Sequence, residues 1–227
     1  MFKEIAQGLY AYFPKTFSCN CYLIAAKKPV LIDTGLENQS QSLIDSLQKL
    51  GYSIKDISMV LHTHGHADHI GATAMFNDSI KAMSLHDGAL VNQRDADFTV
   101  SQWFSQDSYP EIKKFYGTNE TIAIKPYKLR IIETPGHTAG SVSLLEENNG
   151  WLFSGDTLFK EGIGRHDLPS SDPVQLKDSL KLLLETPYEL LLPGHGGTWA
   201  KDNVTIKKWI VYLSKETASR QNKQYGA

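Results

Sequence analysis

Four of the chain's eight histidines lie between His62 and His69, together with the carboxylate of Asp68. The run from Ile57 to Leu61 that precedes them is apolar and contains β-branched residues, which is typical of a buried strand. Side chains alternate in an extended segment, so His64 and His66 point in the same direction and can bind one cation. Imidazole and carboxylate groups are ligands that zinc, iron and manganese accept. The stretch therefore predicts a metal site at the end of a strand.

Asp68 and His69 lie where the sequence begins to look helical, just before the run from Ile70 to Phe76. The turn into this helix would carry both side chains toward a neighbouring position, so one loop could supply two adjacent cations. The alternative is a polar loop that binds metal only incidentally. That alternative does not explain the apolar strand before the loop or the further ligands along the chain.

Three more ligands follow predicted strands further along the chain. His137, Asp156 and His195 each come after a strand pattern and next to a glycine. Glycine has no Cβ, so it lets the backbone pass close to an ion. A single histidine after a turn that ends a strand would be weak evidence for a metal site. Four ligand-bearing strand ends in one chain, with a carboxylate that can bridge, are strong evidence for a metal centre.

The elements that must position these ligands follow from the hydrophobic pattern. Residues 21–25 and 30–32 form a predicted hairpin, and the helix after it has its apolar face at 43–50. A second hairpin is predicted around Asn149-Gly150. One helix begins at Pro173, and a last helix extends from Thr205 to Ala218. The strands thus fall into two strand-rich halves.

Several residues near these elements have more than one interpretation. Asp33, at the end of a buried strand, either accepts a turn amide or orients a metal-binding histidine. His86 is predicted to be structural, because the ligand set is complete without it. The aromatic-rich segment 89–117 is predicted to be an insertion of short helices, either a packed subdomain or a lid over a substrate cleft. Cys19 and Cys21 are predicted to be buried, reduced thiols.

Length and composition limit which partners and which cellular location are expected for this protein. The chain has 227 residues, 41% of them hydrophobic and 21% charged, with a formal net charge of -2, which is ordinary for a globular protein. This balance does not indicate nucleic acid as a partner. No apolar run approaches the ~20 residues that span a bilayer, and neither end resembles a targeting segment, so we expect a cytoplasmic protein without membrane contacts. We expect one domain over residues 1–227, and the oligomeric state is not predicted.

The ligand motifs resemble those of the metallo-β-lactamase-fold superfamily and, within it, those of the glyoxalase II-like hydrolases. The T-H-x-H-x-D-H motif stands at Thr63 to His69, and the later motifs match Pro135 to Thr138, Ser154 to Thr157 and Leu192 to Gly196. The resemblance covers the chain from about residue 5 to residue 200. It implies an α+β fold, a four-layer αββα sandwich.

The resemblance also implies a ligand set and a chemistry. It assigns one cation to His64, His66 and His137, a second cation to Asp68, His69 and His195, and the bridging position to Asp156. It implies two divalent metal ions, zinc first, with iron or manganese as alternatives. The implied reaction is hydrolysis of a small-molecule thioester or related ester by a metal-bridging hydroxide, with Asp68 or Asp156 orienting the water or relaying its proton.

Other activities of the same fold remain as alternatives. Asp156 disfavours antibiotic hydrolysis, because binuclear β-lactamases of the family usually lack an acid at this position. Lactonases of similar pattern carry a tyrosine where this chain has Phe159. A persulfide dioxygenase would use one iron, held by His64, His137 and Asp156. A metal-holding binding module without turnover is a further alternative.

Arg165 is the candidate substrate-binding residue. The segment 159–169 that contains it resembles short glyoxalase II-like thioesterases and persulfide dioxygenases, in which the matching arginine can meet a glutathione carboxylate. A planar guanidinium suits a carboxylate, yet Arg165 can equally pair with Asp167 or Asp172. The sequence does not identify the acyl group or the thiol carrier.

Overall fold

Two β-sheets lie face to face in the computed structural model, which describes residues 1–117 and 119–225. The first sheet is built, in this spatial order, from β1 (Lys3–Ala6), β2 (Leu9–Tyr12), β3 (Cys21–Ile24), β4 (Val30–Ile32), β5 (Met59–Leu61), β6 (Ile80–Met83) and β7 (Lys114–Phe115). The second sheet is built in the same way from β8 (Thr121–Ile124), β9 (Tyr127–Glu133), β10 (Val142–Glu146), β11 (Trp151–Gly155), β12 (Leu190–Pro193) and β13 (Trp199–Ala200). Strands β4 to β7 pair in parallel, as do β11 and β12, and the other neighbours pair antiparallel.

Helices α1 (Ser40–Lys49), α5 (Pro173–Glu185) and α6 (Asn203–Tyr225) cover the outer faces of the two sheets. The shorter helices α2 (Ala67–Ile70), α3 (Leu85–Asn92) and α4 (Ala96–Thr99) pack together near β6. Within the described parts of the chain, none of these helices has both the length and the apolar character needed to cross a bilayer.

The buried apolar side chains of the described residues form four clusters: three are layers between sheets and helices, and the fourth joins α2, α3 and α4 to β6. The layer between the sheets joins Leu9, Ile24 and Leu61 of the first sheet to Leu144 and Phe153 of the second. A second layer lies between α1 and the first sheet, and a third lies between the second sheet and helices α5 and α6. Helix, sheet, sheet and helix are therefore stacked in the predicted four-layer αββα arrangement. Each sheet is covered on both faces, which explains why every residue of β3, β4 and β10 is buried.

The predicted hairpins and helices occur where the hydrophobic pattern indicates them. Strands β3 and β4 form the first hairpin, and β10 and β11 form the second around Asn149-Gly150. Helix α1 ends before Gly51, which has the left-handed φ of 87° that commonly follows a helix. Helix α5 begins at Pro173 as predicted, and the Asp172 side chain accepts backbone N–H bonds of its first turn.

Other elements differ from the prediction at their boundaries. Helix α2 extends from Ala67 to Ile70, so Asp68 and His69 lie inside it. The run from Ile70 to Phe76, which the sequence predicts to be helical, contains a 3₁₀ turn at Thr73–Met75 instead. Helix α6 begins at Asn203, because Asp202 accepts the N–H of Val204 and the hydroxyl of Thr205. The pattern did not predict the edge strands β1, β7, β8 and β13. These strands are short and partly exposed, so they have little apolar signal.

The aromatic-rich segment 89–117 contains most of α3, helix α4, a 3₁₀ turn at Ser101–Phe104 and strand β7. Short helices thus form its first part, as the sequence indicated, and it ends in a strand that the sequence did not indicate. Its status as an insertion stays a prediction.

Candidate metal centre

The predicted ligands meet because the strand ends that carry them meet. Strands β11 and β12 run parallel, so Asp156 and His195, which follow them, emerge at the same edge of the second sheet. The histidine loop follows β5 of the first sheet, and the carbonyl of Thr63 in this loop accepts the N–H of Val142 at 2.9 Å. This bond ties the two sheet edges together.

His64, His66 and His137 form the first cluster of ligands. Their ring centroids lie 4.6 to 4.8 Å apart, and their ligand nitrogens lie within 4.8 Å of one another. All three side chains are buried. Among the described residues, their Nε2 atoms have no hydrogen-bond partner. Converging buried nitrogens are costly when unpaired, and a divalent cation would satisfy them, so these residues fit a metal ion.

Asp68, His69 and His195 form the second cluster, whose ligand atoms also lie within 4.8 Å of one another. The Oδ2 atom of Asp68 is 3.1 Å from Nε2 of His195 and 3.9 Å from Nε2 of His69. Imidazole and carboxylate together suit zinc, iron or manganese better than calcium. This second group of residues therefore also fits a divalent cation.

Asp156 lies between the two clusters. Its Oδ1 atom is 3.2 Å from Nε2 of His69. Its Oδ2 atom is 3.7 Å from Nε2 of His137 and 3.6 Å from Nε2 of His195. Gly194 makes this approach possible, because a Cβ there would collide with Oδ1 of Asp156. One carboxylate thus reaches ligands of both clusters, which is the position expected of a bridging residue.

Burial and mutual repulsion keep part of the first cluster uncharged. Burial, followed by the charge of His137, lowers the pKa of His66 to about 3. Burial and the neighbouring histidines likewise hold the pKa of His64 well below its ordinary value. Burial alone would raise the pKa of Asp156, but His195 and His69 hold it well below the usual range. Neutral imidazole and ionised carboxylate are the forms that bind metal.

Asp33 orients histidines of both clusters. Its Oδ2 atom accepts the Nδ1–H of His69 at 2.9 Å and the hydroxyl of Thr63 at 2.8 Å, and its Oδ1 atom accepts the N–H of Thr63 at 3.0 Å. The Thr63 oxygen in turn accepts the Nδ1–H of His64 at 3.2 Å. Burial alone would raise the pKa of Asp33, but its histidine neighbours, His69 first, lower it to about 2. Both interpretations of this residue from the sequence are therefore realised: it accepts a turn amide, and it turns Nε2 of two histidines toward the clusters.

Two more contacts fix His137 and the histidine loop. The Nδ1–H of His137 donates to the carbonyl of Arg165 at 2.7 Å, which leaves its Nε2 for a ligand role. Asp87 is fully buried, and its Oδ2 accepts the N–H of Gly65 at 3.0 Å and the hydroxyl of Thr138 at 2.7 Å. The sequence analysis did not identify Asp87, and the available signal is an acid in the turn of helix that follows β6.

The structure agrees with the predictions that His86 lies outside the ligand set and that Cys19 and Cys21 are buried. His86 lies outside both clusters, half exposed, with Nδ1 3.2 Å from Asp87 Oδ1. Cys19 and Cys21 are buried and free. Burial raises the pKa of the Cys19 thiol well above its usual value, so the thiol stays protonated. Cys19 lies close to Asp33 and His69, whose own polar atoms are already bonded to each other.

A cleft of about 420 Å³ opens above the two clusters. His66, Asp68, His137, Asp156 and His195 line its floor. Its walls are mostly apolar and consist of Phe17, Val100, Trp103, Phe104, Phe159, Ile163 and Leu168. Pockets of this size, apolar with a few convergent polar groups, are typical of small-molecule sites.

Arg165 also lines this cleft, but its guanidinium is paired within the chain. Its Nε and Nη2 atoms donate to the two carboxylate oxygens of Asp167 at 2.9 and 2.8 Å. The guanidinium carbon lies 5.2 Å from the ring centroid of Trp103. Of the two intramolecular partners considered from the sequence, Asp167 takes this role, while Asp172 caps α5.

Comparisons with known proteins agree with this geometry. The family model described as the metallo-beta-lactamase superfamily matches residues 14–195. A probable metallo-hydrolase of Methanocaldococcus jannaschii is 37% identical over 79% of this chain and 88% of its own length. The hydroxyacylglutathione hydrolase GloC of Haemophilus influenzae is 33% identical over 79% of this chain and 86% of its own. The solved structure of TTHA1623 in a di-iron-bound form is similar at a TM-score of 0.73 and 29% identity, covering 87% of this chain and 96% of that one.

Proposed function

This chain belongs to the metallo-beta-lactamase superfamily, and from that premise we propose that it is a two-metal hydrolase of thioesters or related esters. The observation that carries the proposal is the position of Asp156, whose carboxylate lies within 3.7 Å of histidines from both clusters. A chain that used a single cation would not need the second set of ligands.

The first cation would be held by His64, His66 and His137, and the second by Asp68, His69 and His195, with Asp156 shared between them. Zinc is the metal proposed first, with iron or manganese as alternatives, and a di-iron-bound relative supports the two-metal assignment. Bound divalent cations lower the pKa of a coordinated water to about 7 and polarise a carbonyl oxygen.

The chain's own residues would supply the orientation and the proton chemistry. Asp33 and the Arg165 carbonyl hold His69 and His137 with Nε2 toward the clusters. The carboxylates of Asp68 and Asp156 face the cleft. Interactions with histidines lower the pKa of both carboxylates, although burial opposes this, so both are ionised at neutral pH and can accept a proton from the attacking water. A thiolate can leave without being protonated first. Hydrolysis of a thioester by this scheme therefore needs no additional general acid.

The choice of thioesters and esters among hydrolase substrates rests on similarity. GloC, one of the similar proteins, is named a hydroxyacylglutathione hydrolase. The apolar cleft and its paired arginine do not by themselves identify glutathione as the carrier. Lactone hydrolysis remains the nearest alternative, because a lactone is an ester that the same groups would attack.

Metal content and single substitutions test the proposal. Metal-loaded wild-type protein should hold two equivalents of metal per chain and hydrolyse members of a thioester and lactone panel. The variant His64→Ala should lose metal from the first cluster and have activity at the background level, while His86→Gln, which changes a histidine outside both clusters, should keep both. Full activity of His64→Ala in a folded protein would contradict the assignment.

Metal content, oxygen consumption and a substitution in the second cluster separate the hydrolase from an iron persulfide dioxygenase. One equivalent of iron, oxygen consumption with a thiol persulfide and no effect of substituting His195 would favour the dioxygenase. The complete second cluster of Asp68, His69 and His195 favours the hydrolase.

A further inference from the structure

One wall of the cleft above the clusters is formed by Phe17, Val100, Trp103 and Phe104, which we call the apolar wall. Phe17 is 85% exposed and Trp103 is 60% exposed. Large aromatic side chains left open beside a cleft mark surfaces that a ligand covers. The wall faces the same space as Asp156 and the ligand histidines, so a molecule that reacts there would touch it.

The backbone holds this wall in a conformation that is unfavourable on its own. Val100 and Ser105, at the two ends of the 3₁₀ turn Ser101–Phe104, have φ values of 50° and 51°. A β-branched residue in the left-handed region is uncommon and persists where its surroundings enforce it.

Contacts on both sides of the turn provide that enforcement. The hydroxyl groups of Ser101 and Tyr109 are 2.6 Å apart, and the Gln106 side chain accepts the N–H of Glu37 at 3.4 Å. The turn also packs against α2, which carries two ligands of the second cluster. The backbone that carries Trp103 and Phe104 is therefore held in place relative to α2 and its ligands.

The charge beside the wall is already neutralised. Arg165 is the residue with a permanent positive charge among the described residues that line the cleft, and Asp167 binds it through two hydrogen bonds. Its guanidinium carbon lies over the Trp103 ring, so the group contacts the wall while it is paired with Asp167. The apolar wall itself offers an anionic group little to bind, and it offers a hydrocarbon group a large surface to cover.

We propose that the apolar wall binds a hydrocarbon chain attached to the scissile thioester or ester group. This inference rests on the proposed function for the position of the scissile group. The hydrocarbon chain can belong to the acyl group or to the thiol or alcohol group of the substrate. The wall would recognise it in the same way in both cases.

Binding of the hydrolysis products tests the wall independently of turnover. We would titrate metal-loaded, full-length protein with n-alkyl carboxylates and n-alkanethiols of two to eight carbons and measure affinity by calorimetry. Each added methylene should raise the affinity about fourfold until the cleft is full, at least in one of the two series. In that series Trp103→Ala should weaken binding of the eight-carbon compound at least about tenfold and that of the two-carbon compound less than about twofold.

The matched control is Tyr212→Ala, which removes an exposed aromatic ring of α6 outside the cleft and should leave both series unchanged. Phe17→Ala is a second variant of the apolar wall. Because Phe17 is highly exposed, this substitution should not destabilise the fold, so a loss of binding would report on the wall itself. Affinity that does not depend on chain length in either series, or equal losses for short and long compounds in the wall variants, would overturn the proposal.

Hydrolysis then locates the hydrocarbon chain in the substrate. One series varies the acyl group of N-acetylcysteamine thioesters, and the other varies the alkanethiol of acetyl thioesters. A rise of kcat/KM with length in the first series places the chain on the acyl side, and a rise in the second places it on the thiol side. Chain-length-dependent binding without hydrolysis of any thioester or ester would refute the proposed function and leave the hydrocarbon site standing.

Discussion

Replacing Asp87 by alanine is expected to weaken metal binding at the first cluster without changing a ligand. The Oδ2 atom of Asp87 accepts the N–H of Gly65 at 3.0 Å and the hydroxyl of Thr138 at 2.7 Å. Gly65 lies between two histidines of that cluster, and Thr138 follows the third. A single carboxylate oxygen thus holds together the two loops that supply the cluster.

The size of the effect follows from these two bonds. Removing the outer partner of metal-binding residues typically lowers metal affinity about 10- to 100-fold. Asp87 is fully buried, so alanine also leaves two donors without their partner, at a cost of about 1–3 kcal/mol each. Asparagine keeps an oxygen that can accept both bonds, so we expect Asp87→Asn to retain metal affinity to within about threefold.

The assay is competition between the metal-free protein and a chromophoric zinc chelator, with urea unfolding of the same samples. Asp87→Ala should bind zinc about 30-fold more weakly and unfold with a free energy lower by about 2–6 kcal/mol. His86→Gln, which changes the half-exposed neighbour of Asp87, is the control. Unchanged zinc affinity in folded Asp87→Ala would refute the reasoning, and an equal loss in Asp87→Asn would assign the effect to charge instead of hydrogen-bond geometry.

Three further predictions concern backbone space, pH and packing. Gly164→Ala should lower metal affinity more than Gly162→Ala in the same chelator assay, because a methyl group at 164 would collide with the Asp156 carbonyl, whereas at 162 its nearest neighbour is 3.6 Å away. In metal-free protein the pKa of Asp33 is about 2, below the unfolded value of about 3.9, so its contribution of about 2–3 kcal/mol should be complete above pH ~5 and be lost as the pH falls toward 2. Urea unfolding should show a larger loss of stability in wild type than in Asp33→Asn, which keeps only the losses from the other carboxylates of lowered pKa, such as Asp68 and Asp156. Leu180→Ala in α5, where the side chain is 0% exposed, should cost about 2–5 kcal/mol of unfolding free energy. Leu182→Ala, at 46% exposure, should cost less than ~1 kcal/mol.

The sequence predicts which side chains come together at the candidate site, because each of them is marked locally. The histidine motif, the Gly-His and Gly-Asp pairs and the apolar runs before them are all visible within a few residues, and the structure brings all seven predicted ligands to one place. The parallel pairing of β11 and β12, which puts Asp156 beside His195, is a consequence of long-range topology. Only the family resemblance made that arrangement predictable.

The supporting residues are harder to predict because their partners are distant in sequence. Asp87 is 22 residues from Gly65 and 51 residues from Thr138. A buried carboxylate has no signature of its own until the two loops that it joins are placed in space. The sequence does not decide the partner of Arg165 for a related reason: two acids, Asp167 and Asp172, are within reach along the chain, and only the hydrogen-bond geometry distinguishes them.

The loop after β11 couples the cleft to the first cluster. The carbonyl of Arg165 accepts the Nδ1–H of His137, while Ile163 and Leu168 of the same loop line the cleft. His166 in this loop also lies 2.9 Å from the carboxylate of Glu216 in α6. Substitutions that shift this loop are therefore expected to change the orientation of His137, and with it both metal affinity and substrate binding. None of the described side chains of the apolar wall bonds to His137, so truncating one of them is expected to change substrate binding more than metal affinity.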